Sequence, residues 1–133
     1  MLVEDPELAR FEIIVISDDD DHARLLLADV DTSRHPFLVN LVSERRRIAP
    51  ALEWVVERSP RRMPVIVLLD FEFLRDACEK TAAQVVAMQN QTAIECIVTR
   101  PPPFGGVIER LSRMGASVFD PDADHAQFEQ MLH

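Results

Sequence analysis

Val65-Ile66-Val67-Leu68-Leu69-Asp70 is the run on which the reading of this chain turns. It is short, rich in β-branched residues, uninterrupted by polar side chains, and ends on one carboxylate. Two other runs share that design. Glu12-Ile13-Ile14-Val15-Ile16 stops at Ser17 and the four aspartates Asp18, Asp19, Asp20 and Asp21, and Ile94-Glu95-Cys96-Ile97-Val98 stops at Thr99. A near-continuous apolar run of this length predicts a strand covered on both faces, as in a parallel sheet. Ligands and chemistry gather beyond the carboxyl ends of such strands, where the strand order reverses. Carboxylates and hydroxyls at three strand ends therefore predict one polar cluster at one sheet edge, suited to a hard cation, to phosphoryl chemistry, or to both.

Working outward, strands are predicted over residues 11–17, 37–42, 64–69, 94–99 and 116–119. Helices are predicted over 20–30, 44–59, 72–89, 105–114 and 123–132. The second carries Ile48, Leu52, Val55 and Val56 at helical spacing, with Pro50 confined to its first turn. The third should turn Leu74, Ala77, Cys78, Val85 and Met88 inward. Five alternations of strand and helix imply a single doubly wound α/β domain with right-handed crossovers and helices on both faces. Residues 1–10 form a lead-in and 11–133 the domain.

Composition narrows the function classes. The 133 residues suffice for one core, and a net charge of −9 argues against general nucleic-acid binding. No apolar run approaches membrane-spanning length, and the acidic start Met1-Leu2-Val3-Glu4-Asp5-Pro6 lacks the features of a signal peptide, so a cytoplasmic domain is expected. Cys78 and Cys96 lie in apolar settings and are expected to be reduced and buried. Histidines 22, 35, 125 and 133 have no ligand-like mutual spacing and are assigned no metal. Arg45, Arg46 and Arg47, with Trp54 off the apolar stripe of helix 2, form either a solvated face or a docking patch for an acidic partner.

The acidic cluster after strand 1, "VIVLLD" ending in Asp70, "CIVTR" with Thr99, and "GASVF" followed by Asp-Pro stand in a specific order and spacing. Together they resemble the receiver domain of bacterial response regulators over roughly residues 11–132. The resemblance implies a five-stranded parallel sheet in the flavodoxin-like order 2-1-3-4-5. It implies Asp70 as phosphoacceptor and Mg²⁺ held weakly by Asp18, Asp19 and Asp70. It implies Thr99 as the phosphoryl contact and Phe119 as an aromatic that changes rotamer. The acidic pair can be read as Ser17 and Asp18 or as Asp18 and Asp19, and both registers stay open. The partners implied are a histidine kinase or another signalling protein, with a second copy of the chain as a further candidate; no nucleic acid and no membrane is expected.

One departure dominates. The family carries a lysine at the end of strand 5, whereas the only lysine here is Lys80; Asp120 or Asp122 stands in its neighbourhood. A phosphoaspartyl group carries close to two negative charges and needs a divalent ion and fixed donors. Arg100, directly after Thr99, either folds inward as a substitute cation or points to solvent. The function expected is therefore an atypical receiver that acts through partner binding, with Asp70 as candidate phosphoacceptor and no enzymatic activity beyond that. The alternative is a pseudo-receiver that never takes phosphate. An aspartyl-nucleophile phosphotransferase or phosphatase fits less well, since Glu72 stands where a second aspartate is wanted. A small-molecule switch also fits less well, because no glycine-rich phosphate loop follows strand 1.

Overall fold

The computed structural model describes residues 9–31, 36–57 and 63–119. Five strands, β1 (Phe11–Ile16), β2 (Phe37–Val42), β3 (Val65–Asp70), β4 (Ile94–Thr99) and β5 (Ser117–Phe119), form one sheet in the order β2-β1-β3-β4-β5. Every pairing is parallel. The helices are α1 (Asp20–Asp31), α2 (Ile48–Glu57), the single turn α3 (Phe71–Leu74), α4 (Cys78–Ala87) and α5 (Val107–Met114). The predicted sheet order is the observed one. The predicted helix 123–132 and the aspartates 120 and 122 lie outside the described residues, as does most of the lead-in.

The apolar runs are continuous because the sheet is buried on both sides. Alternate residues of each strand feed two cores. Ile14, Ile16, Val65, Val67, Leu69, Cys96 and Val98 face one core with α2, α4 and α5. Ile13, Val15, Ile66, Leu68 and Ile97 face the other, with Ala23 and Leu26 of α1. β1 and β3 are buried at every position.

Two helices depart from expectation. A 3₁₀ turn, Arg45–Arg47, precedes α2, so Pro50 is its third residue and costs no internal helical hydrogen bond. The single helix expected over 72–89 is instead α3, a 3₁₀ turn at Arg75–Ala77, and α4. Arg75 adopts a positive φ of 49° at the break. The Arg45 guanidinium donates to the carbonyls of Phe73 and Leu74 at 2.9 and 3.2 Å, which offers those oxygens partners outside the helix. At the other end of the molecule, α5 stops at Gly115, whose φ of 105° suits a residue without Cβ. Ala116 N–H then bonds back to Leu111 O at 3.0 Å, and the chain enters β5.

Candidate functional site

Register places the site. Ile16 pairs with Leu69, and Asp70 pairs with Thr99, so the next residue of β1, Ser17, falls beside Asp70 and Thr99 at the carboxyl edge. β1 and β3 are neighbours at the point where the winding of the sheet reverses, which is where a doubly wound sheet opens a crevice. Asp70 is 1% exposed. It ends β3 and also caps α3, with Oδ1 accepting the Glu72 N–H at 3.1 Å.

All the acceptor positions of Asp70 are in use. Besides Glu72 N–H, Oδ1 accepts Arg100 Nε–H at 3.0 Å. Oδ2 accepts the Ser17 hydroxyl at 2.6 Å and Arg100 Nη2–H at 2.5 Å. A carboxylate offers about four lone-pair directions. Four donors from the chain itself meet them, two of them in the bidentate geometry that only a guanidinium supplies.

Arg100 reaches inward because of its backbone as well as its charge. Its φ is 55°, in the left-handed region that an L-residue with a long side chain enters at a cost of about 1–2 kcal/mol. Its Nη1 also meets Asp19 Oδ2 and Glu72 Oε2, each at 3.0 Å. Burial opposes the guanidinium charge, but the hydrogen bonds and attraction to Asp70, followed by Asp19 and Glu72, outweigh it and raise the Arg100 pKa. Asp19 is held below its ordinary carboxyl value, first by the His22 N–H and then by Arg100. That His22 N–H contact, at 3.1 Å to Asp19 Oδ1, makes Asp19 the N-cap of α1. Asp19 N–H in turn donates to the Ser17 hydroxyl at 3.1 Å.

Thr99 lies fully buried at the end of β4. Its hydroxyl is 2.8 Å from His22 Nε2 and only weakly engaged with Leu69 O, at 3.5 Å. Burial first, and the Arg100 charge second, push the His22 pKa down, so the imidazole is neutral. Phe119 is fully buried in the core on the α1 side.

The expected residues are thus brought together unevenly. Asp70, Asp19, Thr99 and Arg100 meet at one edge. Asp18 is exposed and stands outside the network, and Ser17 takes the place beside Asp70. Among the described residues no three acidic, histidine or cysteine side chains are grouped to hold a metal ion. Of the set expected to hold Mg²⁺, Asp19 and Asp70 meet on Arg100 while Asp18 stands apart. Arg100 bridges two of its members, and their inward oxygens are already committed to hydrogen bonds. A divalent ion does not fit this arrangement without displacing the guanidinium.

His22 and Glu72 belong to the site; neither is among the site residues expected from sequence, although Glu72 was noted two positions after Asp70. The sequence signal for His22 is that it precedes Leu26 by one helical repeat and so shares its inward face. The arginine triad divides by role. Arg45 is committed to the α3 carbonyls and lies 5.9 Å over the Phe73 ring; Arg46 pairs with Glu44 at 2.5 Å; Arg47 is exposed. Trp54 is 43% exposed. Both cysteines are free and buried, and burial pushes each thiol up to about 12.

A five-stranded parallel sheet in this order, with helices on both faces and an acid–hydroxyl cluster at its carboxyl edge, is a receiver-like fold. Solved structures bear this out. The signal receiver domain of a DNA-binding response regulator from Colwellia psychrerythraea superposes with a TM-score of 0.71 at 16% identity, over 92% of this chain and 94% of that one. A response regulator receiver domain from Rhodospirillum rubrum gives 0.65 at 18% identity, over 90% and 89%. The Mn²⁺-bound form of the response regulator Rcp1 gives 0.62 at 12% identity, over 92% and 88%. No family model and no curated protein matches the chain. Among the described residues no helix is long and apolar enough to cross a membrane.

Proposed function

We propose that this chain is a pseudo-receiver: a receiver-type signalling module that acts by binding a partner protein in the cytoplasm, with Asp70 unphosphorylated. One observation carries the reading. Asp70 presents no unengaged oxygen lone pair, because Arg100, Ser17 and the Glu72 N–H take all four directions. In-line attack on a phosphoryl donor needs one carboxylate oxygen free and cations arranged around the transferring group. Here the nearest cation is spent on the nucleophile itself. The Thr99 hydroxyl is likewise engaged, by His22. With Phe119 buried, these contacts support one standing conformation in place of a switch between two. The partner is a histidine kinase or another signalling protein, and Arg47 and Trp54 offer an exposed basic and aromatic face to it.

The test is incubation of the wild-type chain with a small phosphodonor, acetyl phosphate or phosphoramidate, in millimolar Mg²⁺, followed by intact-mass measurement. No phosphoryl adduct is expected. An adduct that is absent from Asp70→Asn would refute the proposal and establish the other reading, that of a phosphoacceptor in an atypical receiver.

A further inference from the structure

We infer that Arg100 is a tethered cation occupying the position a divalent ion would otherwise take, and that it is the one group keeping this acidic edge from binding metal. The inference rests on the pseudo-receiver reading and deepens it by naming what blocks the site. Three observations converge on the residue. Its guanidinium touches Asp70, Asp19 and Glu72 at once. Its backbone holds the sparsely populated φ of 55° while its side chain reaches Asp70 and Asp19 at the strand ends. Its side chain is 24% exposed while that of Asp70 is 1% exposed, so the arginine lies on the solvent side of the aspartate.

The chemistry follows from charge and geometry. Asp70, Asp19 and Glu72 each contact the one guanidinium, which offsets the repulsion between carboxylates drawn to the same cation. A guanidinium supplies one positive charge and up to five directed N–H donors, so it satisfies oxygens in pairs. A divalent ion supplies two charges and takes oxygen lone pairs directly. The two therefore compete for the same Asp70 and Asp19 oxygens, and the tethered one has the advantage of a high local concentration. Removing the side chain frees the Asp70 and Asp19 oxygens that it engages, beside the Ser17 hydroxyl that touches both residues. That is an oxygen-only set of the kind a hard cation prefers. The prediction is a gain of binding in a deletion variant, which simple damage to the fold does not produce.

Arg100→Gly is the informative variant, because glycine accepts φ 55° without strain and isolates the loss of the guanidinium. Free Mn²⁺ is followed by electron paramagnetic resonance as each protein is titrated. Arg100→Gly is expected to bind Mn²⁺ about tenfold or more tightly than wild type, and adding Asp19→Asn should abolish the gain. Arg100→Gln, which keeps most of the stem and removes the charge, should show the same gain in smaller measure and serves if the glycine variant is poorly folded. On the wild-type chain itself, the Arg100 Nε–H resonance should stay sharp in sub-millimolar Mn²⁺. Equal Mn²⁺ affinity in wild type and both variants, or paramagnetic broadening of that resonance in wild type, would overturn the inference. Neither result touches the phosphodonor assay, so a phosphorylated wild type and a metal-blind variant remain separate failures.

Discussion

Replacing Arg100 by alanine tests whether the ion pair with Asp70 supports the fold. Asp70 is 1% exposed and the arginine side chain 24% exposed. Removing one partner of a buried pair typically costs about 3–5 kcal/mol, because the remaining charge is left desolvated. The partial exposure of Arg100 lets water reach the vacated position, which places the loss near the bottom of that range, at roughly 3 kcal/mol. The contacts with Asp19 and Glu72, 40% and 58% exposed, add little after solvent screening. Alanine keeps the strain of φ 55°, whereas glycine releases it, so Arg100→Gly should be more stable than Arg100→Ala by about 1 kcal/mol. Urea unfolding at pH 7 followed by circular dichroism measures both. The pH dependence has a definite sign. The Asp19 carboxyl is held below its ordinary 3.8, so its share of stability is present above that pH and is lost as pH falls through the lower, folded-state value. Because the largest contact that lowers Asp19, the His22 N–H, survives the substitution and Asp19 is 40% exposed, the gap between parent and alanine variant should narrow only slightly below about pH 4. An alanine variant as stable as the parent at pH 7, or a glycine variant less stable than the alanine one, would refute the reasoning.

Other consequences can be checked singly. His22 is buried with its pKa lowered from 6.5, so the neutral form is the folded one and stability should decline as pH drops below that value; His22→Gln should flatten the decline, and an NMR titration placing the His22 midpoint at or above its ordinary value would contradict it. Ser17→Ala removes a donor to buried Asp70 and an acceptor for Asp19 N–H, and should cost about 1–3 kcal/mol in the same unfolding assay. Thiol reagents should label Cys78 and Cys96 only as fast as the chain unfolds, since burial holds both near 12; rapid labelling of the native protein would show the thiols to be accessible. Phe119→Ala should lower stability by about 3–5 kcal/mol, as expected for emptying a fully buried aromatic site.

The fold was readable because its signal is local. A strand buried on both faces needs apolar residues at every position, and β1, β3 and β4 carry them almost without exception. Their order along the chain, with a helical segment between each pair, restricts the topology to few alternatives. The division of the 72–89 segment into α3, a 3₁₀ turn and α4 goes with contacts from outside it. Arg45 reaches across from another element to the Phe73 and Leu74 carbonyls, and no periodicity within the helix announces that.

The residues at the strand ends were determined by the sequence alone, since a carboxylate or hydroxyl that closes a buried strand must emerge at the sheet edge. Asp70, Ser17 and Thr99 were placed by that rule, and the missing strand-5 lysine raised the question of a substitute cation. What the sequence left open was a matter of direction. Asp18 and Asp19 differ by one position, and only the first turn of α1 turns one to the solvent and makes the other the helix cap that meets Arg100. Arg100 itself was compatible with solvent or site, and only the folded chain brings its guanidinium onto Asp70. Such choices depend on distances between side chains some 30 to 81 positions apart, Asp70 and Arg100 at one limit and Asp19 and Arg100 at the other. Hydrogen bonds act over about 3 Å, and only the packed sheet brings those atoms within that range.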